Sequence, residues 1–482
     1  MGHSPVDGTF LHLAAATPRW TVEPEGVRVA EGPRRFPPQL IVALLVTLPG
    51  AYAGAADYLG LPTIELPEPV RAVLFGVAIV GAAFVLAWAA EAAQVDISAG
   101  AALALLALLA VLPEYAVDFV FTYQAGQVYA AEGSCVAGPG GANPCSLALA
   151  NMTGANRILV GVGWPLVVLV ASWAVLRARK AGRHDSASTH PGEVRMAQPL
   201  SAEVAFLGIA TLYSLTLPLR SSLTLIDAAV LVTIFALYAW RLARAPAREP
   251  DLLGVSQWVG GQGRTRRRTL VVTMFVVAGL IILLTAEHFA ESLVATGTEV
   301  GIDQFLLVQW VAPLASEAPE LIVACLYAWR LKSSDSLGTL ISSKVNQWTL
   351  LVGTIPIVFA LSAGTTDGLP IDTNQRYELL ITAAQSLFAV AILLDLSITL
   401  YGAFGLLSLF LVQFVVSITA SPEVNRLTIL VLSIVYGVLA LAQFARHWRR
   451  LAKLVRDGLV TPFPKLEREE SRLAAESERA GP

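Results

Sequence analysis

Charged side chains are scarce in this 482-residue chain: they make up 14% of it, against about 25% in an average soluble protein. Hydrophobic residues reach 55%, and the mean hydropathy is +0.64. Lys and Arg (33) do not outnumber Asp and Glu (36), so the composition gives no sign of a nucleic-acid-binding module. The sequence also lacks a paired His-Glu metal motif, a Gly-x-Ser-x-Gly elbow and a phosphate-binding Gly-rich loop. We therefore expect neither an enzyme nor a resident cofactor.

Cysteine is rare as well, with three residues in the chain. Cys135 and Cys145 share one loop rich in Gly, Pro and Asn, and they could form a disulfide where that loop faces an oxidising compartment. Cys325 lies in an apolar segment and is predicted to be a packing residue.

The hydrophobic residues come in blocks long enough to cross a bilayer core of about 30 Å, which takes about 20 residues of α-helix. The sequence predicts an all-α polytopic membrane protein with about 12 transmembrane helices. The predicted spans are 38–59, 70–93, 98–123, 146–175, 199–217, 224–243, 269–292, 303–330, 336–362, 376–396, 398–419 and 424–445.

Lys and Arg are distributed unequally between the two sets of loops. The loops after the fourth and sixth spans and the C-terminal tail are rich in them, whereas 124–145, 294–302 and 363–375 contain none. The positive-inside rule then places both termini in the cytoplasm, in the plasma (cell inner) membrane. The Cys135/Cys145 loop is predicted to lie outside.

An internal repeat relates residues 146–163 to residues 336–353 without gaps. Each copy follows a Pro-Glu step, Pro113-Glu114 in the first and Pro319-Glu320 in the second. Equivalent elements are five spans apart, an odd number, so the two copies run in opposite directions across the membrane. The identical pairs are Ser146/Ser336, Leu147/Leu337, Asn156/Asn346, Val162/Val352 and Gly163/Gly353.

The fold prediction is therefore two inverted five-helix repeats with broken helices, plus flanking helices. The predicted divisions are an N-terminal cytoplasmic tail 1–37, an extra helix 38–59, a first repeat 70–243, a cytoplasmic linker 244–268, a second repeat 269–419, an extra helix 424–445 and a C-terminal cytoplasmic tail 446–482.

Carboxylates within predicted spans indicate a functional site, because a charge at mid-bilayer is costly. Glu114 and Asp118 are four residues apart, and Glu317 and Glu320 are three apart, so each pair shares one helix face. A proline beside each pair also frees a backbone carbonyl. Hard cations prefer such oxygen-rich surroundings. The predicted cation ligands are Glu114, Asp118, Thr153, Asn156, Glu317, Glu320, Ser343 and Gln347.

Two stretches, Ala110-Val-Leu-Pro-Glu114 and Ser316-Glu-Ala-Pro-Glu320, resemble the Thr-Ser-Leu-Pro-Glu helices of the cation/Ca²⁺ exchanger superfamily. Gly338, Ser343 and Gln347 fall where that family has its motif Gly, its motif Ser and a second ligand. The resemblance implies a secondary antiporter that exchanges Ca²⁺ or another cation for Na⁺ or H⁺ by alternating access. It also implies that Glu114 and Glu320 are the paired central acids, and that inorganic cations and the lipid bilayer are the partners.

Arg157 departs from the family pattern, because it aligns with Gln347 at a ligand position. We expect Arg157 to pair with Glu114 or Asp118 and to occupy one cation subsite, unless it points away from the site. Two alternative functions follow: a Na⁺/H⁺ exchanger with the same fold, or a non-transporting sensor or scaffold neutralised by Arg157. His288, between Glu287 and Glu291, is a candidate proton sensor or simply a polar residue near a helix end.

Overall fold

A computed structural model describes most of the chain. The described residues are 20–22, 28–30, 36–62, 64–96, 112–135, 143–181, 191–245, 252 and 254–480. Most of the predicted N-terminal tail and residues 97–111, the first half of the predicted third span, lie outside these ranges. So do Ala110 and Val111 of the first family-like stretch.

The first half of the chain is helical after a short antiparallel hairpin of β1 (Trp20–Val22) and β2 (Arg28–Ala30). Its helices are α1 (Pro38–Leu59), α2 (Glu68–Ala93), α3 (Leu112–Glu132), α4 (Pro144–Ile158), α5 (Trp164–Lys180), α6 (Ser201–Ser214), α7 (Leu225–Leu242) and the short α8 (Val255–Gly260). A π-helical segment, Leu159–Gly163, joins α4 to α5 without a break.

The second half repeats this plan. Its helices are α9 (Arg264–Val300), α10 (Gln304–Trp329), α11 (Ser333–Asn346), α12 (Val352–Ala363), α13 (Thr373–Ile392), α14 (Leu400–Thr419) and α15 (Pro422–Arg446), followed by the tail helices α16 (Trp448–Leu459) and α17 (Phe463–Ala480). A second π-helical segment, Gln347–Leu351, joins α11 to α12.

Within the described residues, ten helices are long and apolar enough to span a membrane, or eleven when α10 is counted as one bent span. The two parts of α10, Gln304–Ala318 and Glu320–Trp329, meet at 51°. The bend falls at Pro319, where the backbone has no N–H to donate. Eleven of the twelve predicted spans correspond to described helices; the remaining one, 98–123, is described only from residue 112 onward as part of α3.

Two short antiparallel ladders join the halves. β3 (Glu193–Arg195), before α6, pairs with β6 (Ser397–Thr399), after α13. β4 (Ser222–Leu223), after α6, pairs with β5 (Leu369–Pro370), before α13. Exchanging the halves converts one ladder into the other, which is the relation expected of an inverted repeat.

The central core lies between α3–α6 and α10–α13, where Trp164, Trp348 and Phe359 are fully buried. A second core, which includes Leu86, Trp258 and Ile282, lies between α2, α8 and α9. Apolar side chains of α14 and α15 remain exposed in the monomer, as expected of surfaces that face lipid.

The loop between α3 and α4 is closed by a disulfide between Cys135 and Cys145, whose Cα atoms are 5.9 Å apart. Cys325 is a free, half-buried cysteine on α10. At the opposite face of the bundle, Arg241 of α7 donates hydrogen bonds to backbone carbonyls of Asp457, Gly458 and Thr461. Its guanidinium also lies 4.3 Å from the ring centre of Phe463, so the tail helices are docked on the bundle.

A candidate cation site between the two halves

The first turns of α3 bring two acidic residues into the core. Glu114 is 1% exposed and Asp118 is 3% exposed, and they follow one another on the same helix face. The side-chain amide of Asn151, on α4, donates a hydrogen bond of 2.7 Å to Asp118. Packing of α3 against α4 thus provides a polar partner for one of the two acids.

The second half contributes Glu317, which is 3% exposed on α10. The Gln347 amide donates to the Glu317 carboxylate at 2.5 Å and to the Glu114 carboxylate at 3.2 Å. The shared amide places the Glu114 and Glu317 carboxylates beside each other. Two neighbouring acids away from water cannot both stay ionised unless a cation or a proton compensates their charge.

Many buried oxygens on α3, α4, α10, α11 and the second π-helical segment have no hydrogen-bond partner within the described residues. A buried oxygen left without a partner is costly, and a bound cation is one way to offset that cost. The oxygens are Glu114 Oε1, Asp118 Oδ2, Thr122 Oγ1, Asn151 Oδ1, Asn156 Oδ1, Glu317 Oε2, Glu320 Oε2, Ser343 Oγ and Gln347 Oε1. They belong to both halves and include carboxylates, amides and hydroxyls, the donor set that Ca²⁺ favours.

The predicted acids do not all meet at one point. Among the described residues, no three His, Cys, Asp or Glu side chains are close enough together to hold a metal ion. The Gln347 amide joins Glu114 to Glu317 and not to Glu320, whose Oε2 is buried without a hydrogen-bond partner in the described part of the chain. Amide, hydroxyl or backbone oxygens would therefore have to complete a cation's coordination in this arrangement.

Other predicted ligands make contacts within their own helix. The Thr153 hydroxyl donates to backbone carbonyls of Leu149 and Ala150, each at 3.0 Å. The Asn156 amide donates to the carbonyl of Met152 at 3.0 Å, which leaves its side-chain oxygen unpartnered. The hydrogen bonds of Thr153 thus go to its own helix and not to a predicted acid. Asn156 still has a side-chain oxygen that could bind a cation.

Arg157 does not pair with Glu114 or Asp118, so that expectation is wrong. Its guanidinium lies 2.6 Å from the carboxylate of Glu378 on α13 and 4.7 Å from the ring centre of Trp310. Its Nε also donates to the carbonyl of Thr153 at 3.2 Å. Packing of α4 against α13 provides this alternative acid, which comes from a predicted span that carried no site residue.

His288 lies apart from the central acids, where α1, α2 and α9 meet. Its ring is 5.1 Å from that of Tyr58 and 5.3 Å from that of Phe75, and its Nδ1 is 3.7 Å from Asp57. The neighbouring Glu287 accepts a hydrogen bond from the Tyr58 hydroxyl. A role as a proton sensor stays a prediction.

Three residues of this region were not among the predicted site residues. Asn151 contacts Asp118, Tyr115 donates to Asn346 at 3.1 Å, and Lys344 donates to the backbone carbonyl of Asn156 at 2.7 Å. Asn151 lies within the repeat but aligns with the apolar Ile341, so comparison of the halves does not select it. Both π-helical segments also lie immediately beside the site and were not predicted; such segments often occur at functional sites.

Comparison with known proteins shows the same two-part organisation. The model of the family described as "Sodium/calcium exchanger protein" matches residues 69–243 and 270–445. A solved structure described as the H⁺/Ca²⁺ exchanger CAX is 38% identical, with a TM-score of 0.75, over 91% of this chain and 98% of that one. The Ca²⁺/H⁺ antiporter YfkE is 13% identical with a TM-score of 0.51, over 83% of this chain and 100% of that one, which is a likeness of fold.

A putative antiporter, CaxA of Alkalimonas amylolytica, is 26% identical over 85 residues. The match covers 17% of this chain and 27% of the relative, so it spans about a quarter of that protein's length.

Proposed function

Because this chain belongs to the sodium/calcium exchanger protein family, we propose that it is an antiporter that exchanges Ca²⁺ for H⁺ across the membrane. The two hydrogen bonds by which the Gln347 amide joins Glu114 and Glu317, one acid from each half, are the observation that carries the proposal. The description of the 38% identical relative as an H⁺/Ca²⁺ exchanger supports the choice of ions.

The acid pair supports proton coupling for an electrostatic reason. Two neighbouring carboxylates away from water need compensating positive charge, which either Ca²⁺ or protons can supply. Release of Ca²⁺ would favour proton uptake by Glu114 and Glu317, and Ca²⁺ binding would expel those protons. The Gln347 amide contacts both acids, so it would hold them together in either state.

Exchange also requires that the site open to one side of the membrane at a time. The bent α10 and the two π-helical segments border the acids, and in each of them the backbone departs from regular α-helix. We place the alternating opening in these elements. Transport of ions through this site, rather than catalysis with a resident cofactor, is the activity proposed.

Arginine–tryptophan pairs support the orientation with both termini in the cytoplasm of an inner cell membrane. Trp is enriched at membrane interfaces, and Lys and Arg on the cytoplasmic side. The pairs lie at or near helix ends on the predicted cytoplasmic face. Their guanidinium-to-ring distances are 4.7 Å for Arg177/Trp329, 3.6 Å for Arg244/Trp240, 5.9 Å for Arg266/Trp258 and 5.6 Å for Arg449/Trp448.

The two alternatives rested on Arg157 as a cation fixed among the central acids. Its contact with Glu378 removes that argument for a Na⁺/H⁺ exchanger and for a neutralised sensor or scaffold. Both remain outcomes of the transport test below.

The test uses the full chain in liposomes that contain a Ca²⁺-sensitive dye. An acidic interior should drive Ca²⁺ uptake, and an outward Na⁺ gradient at equal pH should not. Glu114→Gln and Glu317→Gln should each abolish uptake, whereas Glu132→Gln, an exposed position at the end of the same helix as Glu114, should retain it. Uptake driven by Na⁺ alone would refute proton coupling. Na⁺-dependent pH changes without Ca²⁺ flux, or no flux at all, would refute Ca²⁺ exchange.

A further inference from the structure

The side-chain amine of Lys344, in the second half of the chain, contacts the first half. Lys344 lies in the last turn of α11 and is 0% exposed. Its Nζ donates a hydrogen bond of 2.7 Å to the backbone carbonyl of Asn156, near the end of α4. Burial of an ammonium is costly unless nearby groups compensate its charge, so this contact needs an explanation.

The groups around this amine are those that would bind a monovalent cation. The amide of Gln347, three residues further along the chain, contacts both Glu317 and Glu114, so the two acids lie near this turn of the second half. The ring centre of Trp348 lies 5.8 Å from Nζ. A carbonyl oxygen and an aromatic ring, with acids nearby, are groups that stabilise a single positive charge.

Backbone carbonyls beside interrupted helices commonly coordinate Na⁺ in transporters built from inverted repeats. The Asn156 carbonyl lies three residues before the first residue of the π-helical segment, and it already accepts a hydrogen bond from the Lys344 amine. The carboxylate oxygens of Glu114 and Glu317 that lack partners are not taken in this way. The Lys344 amine thus occupies the place at the Asn156 carbonyl that a monovalent cation could take. The free carboxylate oxygens of Glu114 and Glu317 remain available to another ion.

We propose that the Lys344 ammonium is a built-in substitute for a monovalent cation, which excludes Na⁺ from the Asn156 carbonyl and makes the site selective for a divalent ion. The inference rests on the proposed function, since it assigns the selectivity of the same site. It identifies Lys344 as a specificity-determining residue, a role that no predicted ligand position covered.

The test replaces the amine without changing the length of the side chain much. Lys344→Met should make the Asn156 carbonyl available, so that Na⁺ competes with Ca²⁺. Binding of radioactive Ca²⁺ to the purified full chain would be measured in NaCl and in choline chloride. The apparent Kd for Ca²⁺ should rise about tenfold in the variant when Na⁺ is at ten times its own Kd, and should not change in the wild-type chain. Lys465→Met, at an exposed position on α17, is the matched control.

A second measurement covers a variant that folds but no longer binds Ca²⁺. Na⁺ should raise the thermal unfolding temperature of Lys344→Met relative to choline, and should leave the wild-type value unchanged, because a ligand stabilises the state that binds it. If Na⁺ alters neither Ca²⁺ binding nor unfolding of the variant, the inference about Lys344 is refuted. If the wild-type chain bound no Ca²⁺, the proposed function would be refuted. Stabilisation by Na⁺ of the variant alone would still support the inference that Lys344 excludes Na⁺ from the Asn156 carbonyl.

Discussion

The guanidinium of Arg157 lies 2.6 Å from the carboxylate of Glu378, and both side chains are buried. The pair joins α4 of the first half to α13 of the second. Loss of one partner from a buried ion pair leaves an uncompensated charge, which costs about 3–5 kcal/mol, whereas replacement of both partners by apolar residues costs far less.

We therefore expect Arg157→Met and Glu378→Leu each to lower the thermal unfolding temperature of the purified protein markedly. The double variant should recover most of the loss, because it leaves no charge unpaired. Unfolding in detergent, followed by intrinsic fluorescence, would measure all four proteins. If the loss in the double variant equalled the sum of the losses in the two single variants, the pairing would be contradicted.

Gln347 contacts both Glu114 and Glu317, and its side-chain oxygen has no partner within the described residues. Gln347→Leu should weaken Ca²⁺ binding by about tenfold, which corresponds to about 1.4 kcal/mol, because it removes a ligand and the contact that orients the acids. Equilibrium Ca²⁺ binding would measure the change. Gln413→Leu on α14 is the control, since Gln413 is equally buried away from these acids. Equal effects of the two substitutions would argue against a ligand role.

Gly154 allows α4 to approach α10 closely. A Cβ atom at this position would overlap the backbone carbonyl oxygen of Gln309. Gly154→Ala should therefore destabilise the protein by about 1–3 kcal/mol and impair Ca²⁺ uptake. At Gly279, on α9, a Cβ would meet no described atom within 4 Å. Gly279→Ala should be neutral, or stabilising by up to about 1 kcal/mol. Thermal unfolding of both variants tests the contrast, which would disappear if α4 and α10 were not packed here.

The C-terminal end of α2 is linked to α9 through Asp96. Its carboxylate accepts hydrogen bonds from Arg267 at 2.8 and 2.9 Å and from Arg268 at 3.3 Å. The bonds from Arg267 lower the pKa of Asp96 below its usual value of 3.8, with a smaller contribution from Arg268 and in spite of partial burial. The folded state thus holds the ionised form more strongly than the unfolded state does.

The sign of the pH effect follows. The contribution of Asp96 to stability should be fully present above the unfolded pKa and should be lost as pH falls through the lower, folded pKa. The unfolding temperature of wild type should exceed that of Asp96→Asn by a constant amount from about pH 5 to 7. Below about pH 4 the difference should shrink. A gap that does not depend on pH would show that the carboxylate contributes through packing alone.

Hydropathy was sufficient to predict eleven of the twelve spans, because transmembrane helices require long apolar segments whatever their tertiary contacts. The relative orientation of the halves was also predictable. The helices that carry Glu114 and Glu320 are an odd number of spans apart, so they must run in opposite directions, and the two ladders agree with this. Contacts between helices that are distant in sequence were not predictable. Glu378 lies near the start of a predicted span, where an acid is expected at the membrane interface, so its pairing with Arg157 had no local signal.

The choice between Glu317 and Glu320 illustrates a second limit. The Pro-Glu repeat favours Glu320 as the partner of Glu114, but α10 bends by 51° between Glu317 and Glu320, and Gln347 joins Glu114 to Glu317. The direction of a helix after such a break depends on tertiary packing and is not encoded by residue spacing alone. The π-helical segments have no clear sequence signature for the same reason.

The two β ladders have a consequence for how the molecule can divide into moving parts. Each ladder joins a loop beside α6 to a loop beside α13, one at either face of the bundle. These two helices, which come from opposite halves of the chain, are therefore fastened to each other at both ends. In any rocking motion α6 and α13 must move together as one rigid body. The boundary between the moving bodies thus cuts across the order of the sequence, instead of following the junction between its two repeats.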